Sequence, residues 1–185
     1  MAKKIAPRPD WLKAPSVIDV YSVSGCVNDD FGDYGDDWKR NRWGFFDSPD
    51  DIRKLSREHS IDLQGMQLFY YEAYELQFDE GEWQPFSSSE ENCKGAHSLL
   101  APSSKRIEGY DVVTFLYSQG PECSPLSCNG MAESMQTNPH CLFNSLEEAR
   151  STVNSGQFDD CEPGALRIFA VFSVDWPSPS HSGDE

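Results

Sequence analysis

Two apolar segments in the second half of the chain decide the fold: Tyr110-Asp-Val-Val-Thr-Phe-Leu-Tyr117 and Leu166-Arg-Ile-Phe-Ala-Val-Phe-Ser-Val174. Residues with β-branched or aromatic side chains dominate both segments, as is typical of strands. The second segment is apolar on both alternating faces in its middle, which predicts a position at the centre of a sheet. Between the two, Ser145-Leu-Glu-Glu148 is a capping box that predicts the start of a helix.

The first half of the chain carries a weaker version of the same pattern. Val17–Val23 is strand-like, and Ser48-Pro49-Asp50-Asp51 predicts a capped helix that ends near His59. Met66–Phe78 is a long predicted strand with apolar residues at most even positions. The turn Asp79-Glu80-Gly81 then leads into Glu82–Phe86, which Pro85 marks as an edge strand.

These elements predict an α+β fold with a mainly antiparallel or mixed sheet and helices on one face. Matching motifs in the two halves, Phe46-Asp47-Ser48 and Phe143-Asn144-Ser145, suggest an internal duplication of a strand–loop–helix–strand unit. The corresponding loops, 24–41 and 118–139, are then expected to emerge near each other, where function often resides. The domain division has an irregular proline-containing arm (1–16), one domain (17–176) and a flexible tail (177–185). Within the domain, repeats 17–86 and 107–176 are joined by 87–106.

The charge of the chain is its most unusual bulk property, with 31 acidic against 15 basic residues and a formal net charge of −16. Such a negative field repels phosphate backbones, so we expect no nucleic-acid partner. It favours a basic protein partner, and the leading hypothesis is a non-catalytic binding protein, such as an inhibitor or immunity-type protein. The acids expected to form that surface are Glu80, Glu82, Glu90, Glu91, Asp33 and Asp36.

Cysteine and histidine residues in the loop 118–141 form the alternative site. Thiolates and imidazoles are the usual zinc ligands, so Cys123 and Cys128 could join His140 or Cys141, and Cys161, around one ion. The usual two-residue knuckle spacing is absent, however, and adjacent His and Cys rarely both ligate. The sequence therefore predicts no bound metal and no cofactor.

Catalytic residues are equally hard to assign. Cys128 or Cys123 could act as a nucleophile with His140 as base, but surrounding acids would raise a thiol pKa and oppose this. Glu72 falls on the apolar side of its predicted strand, as either a bulge position or a partly buried acid in a pocket. No phosphate loop, nucleophile elbow or zinc-protease motif is found, so an enzyme or zinc protein built on loop 118–141 remains the second hypothesis.

Hydropathy gives the expected location. No apolar run approaches the roughly 20 residues of a membrane helix, and the N-terminal residues lack the apolar core of a secretion signal. We therefore expect no membrane partner and a cytoplasmic protein with reduced cysteines.

Overall fold

A computed structural model describes residues 1–26, 45–85, 101–115 and 121–178 of the chain. Within these residues the predicted α+β class is confirmed, with a mostly antiparallel sheet and two α-helices. The strands are β1 (Ala2–Lys4), β2 (Ala6–Pro7), β3 (Asp19–Val20), β4 (Met66–Asp79), β5 (Glu82–Pro85), β6 (Arg106–Phe115) and β7 (Ala165–Val174), and the helices are α1 (Pro49–His59) and α2 (Leu146–Asn154).

The main sheet has the order β1-β4-β7-β6, and β5 folds back on the end of β4 as the predicted hairpin. Every strand pair in it is antiparallel. Strand β7 lies between β4 and β6, which confirms the central position predicted from its continuous apolar run. Strands β2 and β3 form a separate two-stranded sheet.

The expectation of an irregular arm over residues 1–16 is wrong for residues 2–4 and 6–7, which form two short strands. Ala2 pairs with Leu68 as part of β1, and Ala6 pairs with Val20 in the small sheet. The predicted strand Val17–Val23 is shortened to Asp19–Val20, because neighbouring amides bond elsewhere: Tyr21 N donates to His140 O at 3.1 Å. Short, polar β1 carries no apolar pattern that could have announced it.

Both helix starts are as predicted. Ser48 Oγ accepts a hydrogen bond from Asp51 N at 3.2 Å, and Pro49 occupies the first turn of α1. In α2, Ser145 Oγ accepts from Glu148 N while the Glu148 carboxylate accepts from Ser145 N, which completes the capping box. Each helix buries one apolar stripe against the sheet: Ile52 and Leu55 in α1, Ala149 and Val153 in α2.

The two faces of the sheet carry different partners. Leu166 and Ile168 pack in the same apolar cluster as α2, whereas Phe169 and Val171 pack with Val23 from the loop after β3. The free edge of β6 is covered by the cysteine-bearing loop, where Thr114 N donates to Cys123 O at 2.8 Å and Glu122 N donates to Thr114 O at 2.9 Å. This packing brings residues 22–26 and 121–129 together beside β6. In the described part of the chain, no helix has the length and apolarity needed to cross a membrane.

Candidate functional site

Three cysteine side chains meet where these two loops touch. The Sγ atoms of Cys26, Cys123 and Cys128 all lie within 4.8 Å of one another. Cys26 Sγ is 2.9 Å from Glu122 O, which accepts a hydrogen bond from the thiol. The predicted proximity of loops 24–41 and 118–139 is thus confirmed for their described residues. Cys26 itself was not among the predicted site residues, and loop proximity was the signal that could have found it.

The second loop holds its two thiols by main-chain hydrogen bonds. Cys123 N donates to Thr114 Oγ1 at 3.2 Å, so that Cys123 is anchored to β6 through both its amide and its carbonyl. A tight turn follows, in which Cys128 N donates to Ser124 O at 2.8 Å. The turn returns the chain to Cys123, and it explains how two cysteines five positions apart come to share one site.

A buried carboxylate joins the two loops. Asp111, on β6, is fully buried, and its Oδ2 accepts hydrogen bonds from Val23 N at 2.8 Å and from Ser22 Oγ at 3.1 Å. Its Oδ1 accepts from Ser124 Oγ at 2.7 Å. One side chain therefore fixes the loop that presents Cys26 and the loop that presents Cys123 and Cys128.

A buried ammonium group also holds the first loop, through the main-chain carbonyl groups of the loop. Lys3, only 2% exposed, donates from Nζ to Ser22 O at 2.7 Å, Val23 O at 3.3 Å and Ser24 O at 2.7 Å. A buried charge is costly unless hydrogen bonds compensate it, and here three carbonyl oxygens do so. Lys3 thereby holds residues 22–24 in the curved path that leads to Cys26.

The thiol pKa values in the cluster shift in opposite directions for the exposed and the buried cysteine. Hydrogen bonds from Cys123 and Cys128 lower the pKa of the exposed Cys26 thiol, and burial works against them. The Glu122 carbonyl also opposes the shift, because it accepts only from the protonated thiol. Hydrogen bonds from Cys128 and Cys26 instead raise the pKa of the buried Cys123 thiol. Burial raises the pKa of Asp111 to about 6, although the donors from Ser124, Val23 and Ser22 partly offset that increase.

His140 lies apart from the thiol cluster. Its Nδ1 is 2.6 Å from Asp19 Oδ1, its ring stacks on Tyr21 with the centroids 4.1 Å apart, and its Nε2 is 3.8 Å from Glu108 Oε2. The thiol–imidazole pair considered from the sequence is therefore not formed. The imidazole instead connects β3 with the start of β6 and the turn at residues 138–142.

The remaining predicted ligands are also separate from the cluster. Cys141 is buried in the apolar core beside Phe143, and burial raises the pKa of its thiol to about 12. Cys161 packs against the same core, and burial raises its pKa as well. Among the described residues, the third thiol beside Cys123 and Cys128 is therefore Cys26. The predicted candidates for that position were His140, Cys141 and Cys161.

Glu72 remains on the helix-bearing face of β4. It pairs in register with Ala170, and the register of β4 shifts only between Ala73 and Gln77, so that a bulge does not explain its position. Its carboxylate forms an ion pair with Lys105, whose ammonium lies 4.2 Å from the ring centroid of Phe172. The ion pair with Lys105, the residue before β6, thus compensates this charge on an otherwise apolar row.

The predicted acidic surface is described only in part. Glu80 and Glu82 are exposed on the β4–β5 hairpin, next to the exposed Asp79. Asp33, Asp36, Glu90 and Glu91 lie outside the described residues.

Comparison with known protein families, with curated proteins and with solved structures finds no match to this chain.

Proposed function

We propose that this chain is a metal-binding protein in which Cys26, Cys123 and Cys128 coordinate one zinc ion as thiolates. The observation that carries the proposal is the convergence of the three Sγ atoms within 4.8 Å of one another. Zinc bonds thiolate sulfur at about 2.3 Å, which places the sulfurs of a tetrahedral site about 3.8 Å apart. Small side-chain rotations would bring the three thiols to that spacing.

The donor atoms select the class of metal. Thiolates suit zinc and softer ions, whereas calcium and magnesium take oxygen ligands. Three protein ligands leave a fourth position for water or another donor, the composition typical of zinc sites that exchange ligands. The expectation of no metal was based on the spacing within loop 118–141, and Cys26 supplies the donor which that spacing lacked.

The surroundings support a metal site over three incidental thiols. Asp111 and Lys3 are both buried charges, and both act on the backbone that carries the cysteines. Groups that orient the ligands of a metal typically change its affinity by 10- to 100-fold when they are removed. Burying two charged groups beside these loops costs free energy. The need to hold three cysteine ligands in position would account for keeping both groups buried there.

Zinc content and affinity test the proposal directly. Reduced protein should bind one zinc per chain by elemental analysis, and cobalt substitution should give a sulfur-to-metal charge-transfer band. Cys26→Ser, Cys123→Ser and Cys128→Ser should each weaken zinc binding by at least about 10-fold, while Cys161→Ser serves as the matched control and should not. Substoichiometric zinc in the reduced protein, or binding that Cys26→Ser leaves intact, would contradict the proposal.

A second candidate function follows from charge: non-catalytic binding of a basic protein, as inhibitors and immunity-type proteins do. The net charge of −16 and the exposed hairpin residues Asp79, Glu80 and Glu82 support it. A pull-down from native lysate at low and high salt would identify salt-sensitive basic partners. Replacing Glu80, Glu82, Glu90 and Glu91 with glutamine changes the net charge from −16 to −12 and should slow association with such a partner.

Duplication and location are proposed on structural and chemical grounds. The order β1-β4-β7-β6 is symmetric about the β4–β7 pair, and each central strand follows a serine-capped helix, which supports an internal duplication. In that pairing, β1 rather than residues 17–23 would correspond to β6. A reducing cytoplasm would keep the three thiols available as ligands.

A further inference from the structure

The three thiols are close enough for a second chemistry besides metal binding. A disulfide needs two sulfurs to approach about 2.05 Å, with the Cβ atoms about 3.5–4.5 Å apart. Sulfurs already within 4.8 Å of one another reach this by side-chain rotation and small loop shifts. Because three thiols share the space, any one of them that is oxidised has a second thiol within reach.

Exposure sets the order in which the thiols meet an oxidant. Cys26 is exposed, Cys128 is half-buried, and Cys123 is buried. Cys123 is also fixed to Thr114 through its amide and its carbonyl, and its Sγ is 3.6 Å from Asn129 Oδ1. A small oxidant therefore reaches Cys26 first, and Cys128 is the more accessible of the two neighbouring thiols.

We propose that the cluster is an oxidant-responsive switch, in which a hydroperoxide converts Cys26 and Cys128 to a disulfide and the bound metal is released. The release step rests on the proposed metal site. The Cys26 thiolate attacks one peroxide oxygen, an S–O bond forms as the O–O bond breaks, and the alkoxide or hydroxide leaves and takes a proton. The Cys128 thiolate then attacks the sulfenic sulfur, the S–S bond forms as the S–O bond breaks, and the leaving hydroxide takes a proton from solvent to become water.

The stoichiometry explains why metal release follows. The two cysteine sulfurs together lose two electrons, and one hydroperoxide gains them. The hydroperoxide is reduced to one alcohol or water, and a second water is released. The disulfide removes two of the three thiolate ligands, and Cys123 alone does not hold zinc at the affinity of the full set. Reduction by a dithiol restores both ligands, so the switch is reversible.

The test uses the whole 185-residue chain, loaded with zinc and in parallel as the metal-free form, and treated with hydrogen peroxide in slight excess. We expect the intact mass to fall by two hydrogens, a Cys26–Cys128 cross-linked peptide after digestion, and one equivalent of zinc in a colorimetric chelator assay. In Cys128→Ser, a sulfenic-acid trap should label Cys26, because the neighbouring thiol that remains, Cys123, is buried and forms a cross-link more slowly than Cys128 does in the parent. Cys161→Ser should behave like the parent protein and is the matched control.

The outcomes separate this inference from the metal site on which it rests. Zinc bound by the reduced protein and retained after peroxide treatment would overturn the switch and leave the proposed function standing. A cross-link that excludes Cys26, or equal trapping at Cys161, would also overturn it. If the reduced protein binds no zinc before any oxidant is added, the proposed function fails, and the release step fails with it. A dithiol should return the parent mass and zinc binding; irreversible loss of both would contradict a switch.

Discussion

Asp111 accepts a hydrogen bond of 2.7 Å from Ser124 Oγ, and this contact ties the cysteine loop 121–129 to the middle of β6. The other carboxylate oxygen of Asp111 binds Val23 N and Ser22 Oγ in the loop that ends at Cys26. The other contacts between the two loops, from Cys26 Sγ to Glu122 O and between Ser24 Oγ and Cys128 Sγ, each involve one of the thiols. We infer that Asp111 is the buried side chain that fixes the spacing of the two loops independently of the thiols.

Replacing Asp111 with alanine should destabilise the protein strongly. The substitution leaves three buried donors, on Ser22, Val23 and Ser124, without their acceptor, and each such group costs about 1–3 kcal/mol. We expect the free energy of unfolding to fall by about 3 kcal/mol or more, measured by urea denaturation under reducing conditions. Asp175→Ala, at an exposed acid, is the control and should change it by less than about 0.5 kcal/mol. A loss of that small size in Asp111→Ala would contradict the bridging role.

The same carboxyl group should make stability depend on pH. Burial raises its pKa from 3.8 to about 6, so the folded state holds a proton on this carboxyl group more tightly than the unfolded state does. The corresponding stabilisation is complete below about pH 4 and is lost as the pH rises through 6, by roughly 3 kcal/mol in all. Metal-free Asp111→Asn lacks this titration. The free energy of unfolding of Asp111→Asn, relative to that of the parent protein, should therefore increase between pH 4 and pH 7. A difference that stays constant over this range would rule out a raised pKa at Asp111.

The cap of α2 offers a simpler test of local structure. Ser145→Ala removes the acceptor for Glu148 N at the first turn, and losing such a cap usually costs about 1 kcal/mol. Ser151→Ala, on the exposed face of the same helix, is the matched control and should be neutral or slightly stabilising. Thermal unfolding of both variants should show a lower midpoint for Ser145→Ala alone. Equal midpoints would mean that packing of Ala149 and Val153 already determines where α2 begins.

Local signals in the sequence predicted most of the regular elements. The Ser48 and Ser145 caps, the long strand β4 and the apolar run of β7 each depend on residues close together in the chain, and the structure has all four. Strand β1 was missed because its signal is not local. Lys3 looks like a solvated residue in the sequence, whereas in the structure its ammonium group is buried and donates to the carbonyl groups of residues 22–24, which are distant in the chain.

The candidate site was predicted only in part, because some of its contacts join residues that are distant in the chain. Cys123 and Cys128 are near neighbours, so their spacing could be judged from the sequence, whereas Cys26 joins them through the packing of two distant loops. His140 was a reasonable ligand by residue type, but Asp19 and Tyr21 engage it, and both precede it by more than a hundred positions. Contacts between distant residues, rather than residue types, decided which candidates share a site.

The substitution Lys3→Met tests whether the buried ammonium group positions the first cysteine loop. Lys3→Met keeps most of the side-chain volume but removes the donors to Ser22 O, Val23 O and Ser24 O. The loop should then lose its fixed path to Cys26, and zinc affinity should fall by about 10-fold or more, as it does when ligand-orienting groups are removed elsewhere. Zinc affinity is measured by competition with a chelator, and urea denaturation of the metal-free protein is measured beside it.

Lys4→Met, at the exposed neighbouring position, is the matched control and should retain parental affinity. If Lys3→Met lowers stability and leaves zinc affinity unchanged, Lys3 stabilises the fold without positioning Cys26. If Lys3→Met changes neither stability nor zinc affinity, the first loop keeps its path to Cys26 without the hydrogen bonds from Lys3.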